Sequence, residues 1–124
     1  MSPHLQVWRW HITMATSIFH RATGVALYGG ALIAAVWAVS LASGPEAYGV
    51  VMDLLGSFLG KLVMFGLSVS AFYHLANGVR HIVWDFGRGL DVKSANASSI
   101  TVFAFTIAAT AAVWAIAYMT GALA

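Results

Sequence analysis

The sequence predicts an all-α protein, a bundle of three transmembrane helices, and three observations carry that prediction. The chain of 124 residues is 60% hydrophobic and only 8% charged, whereas roughly a quarter of the residues in ordinary soluble domains are charged. Its apolar residues gather into three runs, residues 22–43, 62–83 and 100–123, each long enough for a hydrocarbon core that takes about 20 residues at 1.5 Å rise. No run contains Asp, Glu or Lys, and none shows the polar and apolar alternation of a barrel strand.

The elements follow in order. The opening "MSPHLQVWRWHITMATSIFHR" lacks an apolar stretch followed by a small-residue cleavage site, so it does not read as a cleavable signal, and the first run is expected to serve as its own insertion signal. That run stops at Gly44-Pro45, a pair that ends a helix. The connector beyond it is modestly amphipathic, and part of it is expected along the membrane interface. The second run closes in "DFGRGLDVKSANAS", a glycine-rich, charged link to the third. With no internal repeat or low-complexity linker, residues 1–124 read as a single membrane-anchor domain.

Charge sets the expected orientation. Arg9, Arg21, Arg80, Arg88 and Lys93 fall on one side and Lys61 on the other, which puts the N-terminus in the cytoplasm and the C-terminus outside. The basic pI of 9.3 is thus a matter of topology. No clustered basic face supports a nucleic-acid partner, and the partner the composition does imply is the lipid membrane. The absence of cysteine excludes disulfides, a cysteine nucleophile and a cysteine-ligated iron–sulfur cluster in this chain.

Histidine is the redox-relevant residue that remains. In "HLANGVRHIVWD", His74, Asn77, Gly78 and His81 stand at i, i+3, i+4 and i+7, a single stripe on a helix. An imidazole in hydrocarbon needs a hydrogen-bond partner or a metal. Two readings stay open from the residues alone. In one, His74 ligates haem iron with Gly78 leaving a slot for a flat group; in the other, His74 bonds a neighbouring helix and the glycine allows close packing. The segment "TSIFHRATG" is similarly double-valued. Ser17 and Arg21, one turn apart with His20 beside them, offer a hydroxyl and a planar fork to a polar-headed, lipid-tailed ligand such as a quinone, or Arg21 simply anchors the helix to headgroups.

The stretches "SPHLQVWRWHITMATSIFHRATGVAL" and "HLANGVRHIVWDFG" together resemble the succinate dehydrogenase cytochrome b family, the larger membrane anchor of respiratory complex II, succinate:ubiquinone oxidoreductase. The resemblance implies that Ser17 and Arg21 line the ubiquinone pocket, with Asp85 near it. It implies that His74 is an axial ligand of one haem b shared with a second small membrane anchor, and that His20 and His81 lie near the haem propionates. Expected partners are that second anchor, a flavoprotein and an iron–sulfur subunit, in a bacterial inner membrane in preference to a mitochondrial one. The chain would be part of an enzyme without itself carrying catalytic residues for succinate. Two other readings remain for the residues: a purely structural anchor, or a subunit of a proton-conducting assembly with His and Asp as relay groups.

Overall fold

The computed structural model describes residues 12–123, and every element among them is helical: α1 (Ile12–Ser43), α2 (Pro45–Gly56), α3 (Phe58–Asp85) and α4 (Val92–Met119). The N-terminal part of the first motif, with His4, Arg9 and His11, lies outside the described residues. Three stretches, Met14–Ser43, Phe58–Asp85 and Lys93–Met119, are long and apolar enough to cross a membrane. The helices overrun the apolar runs. Backbone hydrogen bonding needs no apolar side chain, so α1 begins well before Ala22 and α4 well before Ile100, in polar turns that carry much of the chemistry described below. Helix α4 stops at Met119, short of the end of the third run, because Gly121 takes a φ of 79° and turns the chain.

Each break has a local cause. Gly44 adopts a φ of 114° and Pro45 opens the next helix, a pairing that stops α1 and starts α2 within one residue. Part of the amphipathic connector is therefore helical; α2 has 12 residues, none of them buried, and packs against α1 and α3. Ser57 caps α3 by accepting from Gly60 N at 3.1 Å. A Cβ on Gly60 would overlap Leu54 O, so only glycine permits this tight α2–α3 corner. Between α3 and α4, Gly87 and Gly89 take φ values of 75° and 70°, and Trp84 Nε1 donates to Gly89 O at 3.0 Å. Asp91 then caps α4 by accepting from Ser94 N at 3.1 Å, and the hydrogen bonds from Ser94 hold its carboxyl below the usual carboxylate range.

The interior is the reverse of a soluble protein's. Among the described residues, the buried polar ones are Thr16, Thr23, Ser40, Ser70, Asn77, Arg80, Ser99, Thr106 and Thr110, while the buried hydrophobic ones are Tyr73 and Val102. Leu, Ile, Val and Phe side chains cover the outside instead. In lipid there is no hydrophobic gain in hiding an apolar side chain, so small and hydrogen-bonding residues take the helix interfaces.

Candidate functional site

The end of the bundle where α1 begins and α3 finishes gathers the polar chemistry. On α1, Thr16, His20, Thr23 and Gly24 recur at i, i+4, i+7 and i+8, and so share one face. That face meets Tyr73, His74 and Arg80 of α3.

Three histidines come together there. The rings of His20 and His74 are stacked, with centroids 4.0 Å apart and planes 9° from parallel. His81 meets His20 edge-on at 5.3 Å. His74 and His81 are seven residues apart on α3, about 10 Å along the axis at 1.5 Å per residue, yet His20 reaches both. His74 Nδ1 lies 3.3 Å from Thr23 Oγ1, which also donates to His20 O at 3.0 Å. A Cβ on Gly24 would stand 3.3 Å from His74 Cε1, so the missing side chain lets the imidazole lie close against α1. His20 Nδ1 is buried and has no hydrogen-bond partner among the described residues. Around Gly78 there is open space where a side chain would project.

Arg80 holds the neighbouring layer. The sequence reading counted it as a charge at the connector, but it lies inside α3 and is 5% exposed. Its guanidinium donates to Ser98 Oγ at 2.8 Å, Thr16 Oγ1 at 2.8 Å, Asn77 Oδ1 at 3.2 Å and Ala95 O at 3.3 Å. All four acceptors are neutral oxygens, and the group also stacks 4.0 Å over the Trp84 ring. Three helices are thereby tied at one residue. Because Asn77 Oδ1 accepts from Arg80, its Nδ2 faces His81 Nε2 at 3.4 Å as a donor. Tyr73 OH donates to Thr16 O at 2.5 Å.

Ser17, Arg21 and Asp85 sit differently. All three are exposed, and none makes a side-chain hydrogen bond within the described residues. Two cavities, of about 490 Å³ between α3 and α4 and about 720 Å³ at the opposite end, include none of the six predicted site residues in their linings. Thr16, Thr23 and Ser98 were not singled out from the sequence. The i, i+4, i+7 spacing of Thr16, His20 and Thr23 was available as a signal for the first two; Ser98 becomes relevant only once α4 is seen packed on α3.

The profile of the succinate dehydrogenase/fumarate reductase transmembrane subunit family matches residues 1–113. Among similar proteins, the mitochondrial succinate dehydrogenase cytochrome b560 subunit of Sus scrofa is 37% identical over 109 residues, covering 86% of this chain and 64% of that protein. The succinate dehydrogenase cytochrome b556 subunit of Paracoccus denitrificans is 36% identical over 107 residues, covering 86% of this chain and 82% of its own. That of Rickettsia felis is 34% identical over 113 residues, covering 91% and 88%. The chain thus spans less than two thirds of the mitochondrial relative and most of the bacterial ones. With three membrane-crossing helices, a polar interior and this match over nearly its whole length, the chain belongs to the family of succinate dehydrogenase/fumarate reductase transmembrane subunits, multi-pass proteins of the inner membrane.

Proposed function

We propose that this chain is the cytochrome b anchor of a succinate:quinone oxidoreductase, holding haem b through His74 and forming part of the ubiquinone reduction site. The observation that carries the haem reading is the cluster of His20, His74 and His81, with rings 4.0 and 5.3 Å apart around a buried, unpartnered nitrogen. The names of the relatives, cytochrome b556 and b560, point the same way.

The residues fit the group. His74 is engaged at Nδ1 and makes no hydrogen bond through Nε2 among the described residues, so one nitrogen is left for a metal. A Cβ on Gly78 would meet nothing within 4 Å, so no side chain there would stand in the way of a flat ligand. Among the described residues His20 Nδ1 lacks a partner, and a carboxylate such as a propionate would satisfy it. When bound, haem b supplies a one-electron redox centre whose potential the surrounding side chains tune. Stacked rings with parallel planes direct their lone pairs side by side, not toward each other. His20 and His74 so arranged could not hold one iron between them, which supports a second ligand from the partner anchor.

Ser17 and Arg21 offer a hydroxyl and a guanidinium fork, both exposed, to a quinone head held near the membrane surface. Arg21 would favour negative charge developing on the quinone oxygen, and Asp85 at the end of α3 would pass protons from the same side. Electron conduction is assigned to an iron–sulfur subunit, since this chain has no cysteine to ligate a cluster, and succinate oxidation to a flavoprotein.

The test is a comparison of His74→Tyr with His81→Ala in assembled complex. His74→Tyr is expected to alter or abolish the reduced-minus-oxidised b-type spectrum, and His81→Ala to disturb it less. Loss of haem in the His81 variant with a native spectrum in the His74 variant would reverse the assignment.

The orientation proposed is N-terminus inside and C-terminus outside. With Arg80 bonded inside the bundle, Arg9, Arg21, Arg88 and Lys93 still stand against Lys61. A reporter fused at Ala124 should be active only outside the cytoplasm; cytoplasmic activity alone would invert the topology.

A further inference from the structure

We propose that Thr23 is a positioning residue for haem, its hydroxyl holding the His74 imidazole in the tautomer that carries the proton on Nδ1 and the free lone pair on Nε2. This rests on the reading of His74 as an iron ligand and adds to it the group that prepares the ligand.

A hydroxyl has one hydrogen and two lone pairs. Thr23 Oγ1 has two neighbours, His20 O at 3.0 Å and His74 Nδ1 at 3.3 Å. The carbonyl has no proton to offer, and it is the shorter contact, so it takes the hydroxyl hydrogen. Oγ1 then meets Nδ1 with a lone pair, and the contact becomes a hydrogen bond only if Nδ1 carries hydrogen. A neutral imidazole protonated at Nδ1 is unprotonated at Nε2, which is the form that binds a metal.

The surroundings support the same assignment. Thr23 is 9% exposed, so water does not readily replace it as the acceptor. The next residue, Gly24, brings α1 against the imidazole edge, where a Cβ would stand 3.3 Å from Cε1. Thr23 and Gly24 thus fix proton position and ring placement from one turn of α1. The stacked His20 ring covers a face of the imidazole; a ligating lone pair lies in the ring plane, so stacking leaves Nε2 free.

A hydrogen bond from Nδ1–H to an oxygen raises the basicity of a ligating imidazole and favours the more highly charged, oxidised metal. Replacing Thr23 by Val keeps the shape and removes the acceptor. The haem midpoint potential of assembled complex should then rise by about 59 mV, the one-electron equivalent of a tenfold change in the balance between oxidised and reduced forms. Thr23→Ser keeps the hydroxyl and should titrate as the native protein does. Thr23→Cys offers a weak acceptor and should fall between them, which supplies an answer even where the Val variant assembles poorly.

Potentials are read by redox titration of the b-type absorbance in membranes, beside His74→Tyr. A native potential in both the Cys and Val variants, or a Ser variant shifted as far as either, overturns the role of Thr23 while a lost spectrum in His74→Tyr keeps the ligand assignment. A native spectrum in His74→Tyr removes both.

Discussion

Where α1 begins and α3 ends, Arg80 alone donates four hydrogen bonds, three of them to other helices, and Thr23 and Tyr73 link α1 to α3 as well. At the opposite end of the same helices, the links among the described residues are Trp114 Nε1 to Ser68 Oγ at 3.1 Å and Lys61 Nζ to Leu123 O at 2.8 Å, beside a cavity of about 720 Å³. One end is tied by a network of directional bonds, and the other, with these two, is held mostly by contact between apolar and small side chains. The difference shows where this chain needs fixed geometry. Hydrogen bonds specify angles and distances that dispersion forces do not, and they concentrate around the histidines.

The largest expected effect comes from Arg80→Met, which keeps an apolar stem and removes every donor. Polar contacts between membrane helices average about 0.6 kcal/mol with a maximum near 1.7, and bonds to a charged group run higher. Losing four should cost about 2 to 5 kcal/mol of anchor stability, read as a lower midpoint for thermal loss of assembled complex on native gels. Unchanged thermal stability would remove the directional network as the organiser of this end.

Smaller, and visible in rate instead of stability, are Ser17→Ala and Arg21→Lys. Both residues are exposed, so complex stability should hold while succinate-driven quinone reduction falls ten- to hundredfold, about 1.4 to 2.7 kcal/mol in the barrier. Succinate oxidation with an artificial acceptor at the soluble subunits should persist. Normal quinone kinetics in both variants would return Arg21 to the role of a headgroup anchor and narrow the functional end to the histidine cluster.

The smallest effect belongs to the far end. Ser68→Ala removes the acceptor of Trp114 and should cost only about 0.6 kcal/mol, with the haem spectrum unaltered. If it destabilised the complex as much as Arg80→Met, the contrast between the two ends would collapse.

Several residues were legible before any coordinates. His74, Asn77 and His81 were placed on one stripe, and the structure joins the last two directly. Arg80 shows what a one-dimensional reading misses: near the end of an apolar run it counts as a surface charge, and only the arrival of Thr16 from α1 and Ser98 from α4 makes its burial affordable. Thr23 was hidden for a related reason. A threonine in a membrane helix ordinarily bonds its own backbone, and Thr23 does so; its second lone pair matters only because His74, 51 positions later, lies beside it.

The sequence by itself determined the class of solvent, the number of crossings and the residue types available for chemistry. Hydrophobicity over about 20 residues is a local property that any apolar helix expresses without its neighbours. Tertiary structure decided which polar groups meet: His20 stacked on His74, Arg80 bridging three helices, Thr23 set against Nδ1. Those contacts depend on the rotation and depth of one helix against another. In lipid, the packing of small residues and the pairing of polar groups fix both, and neither is written in the periodicity of a single helix.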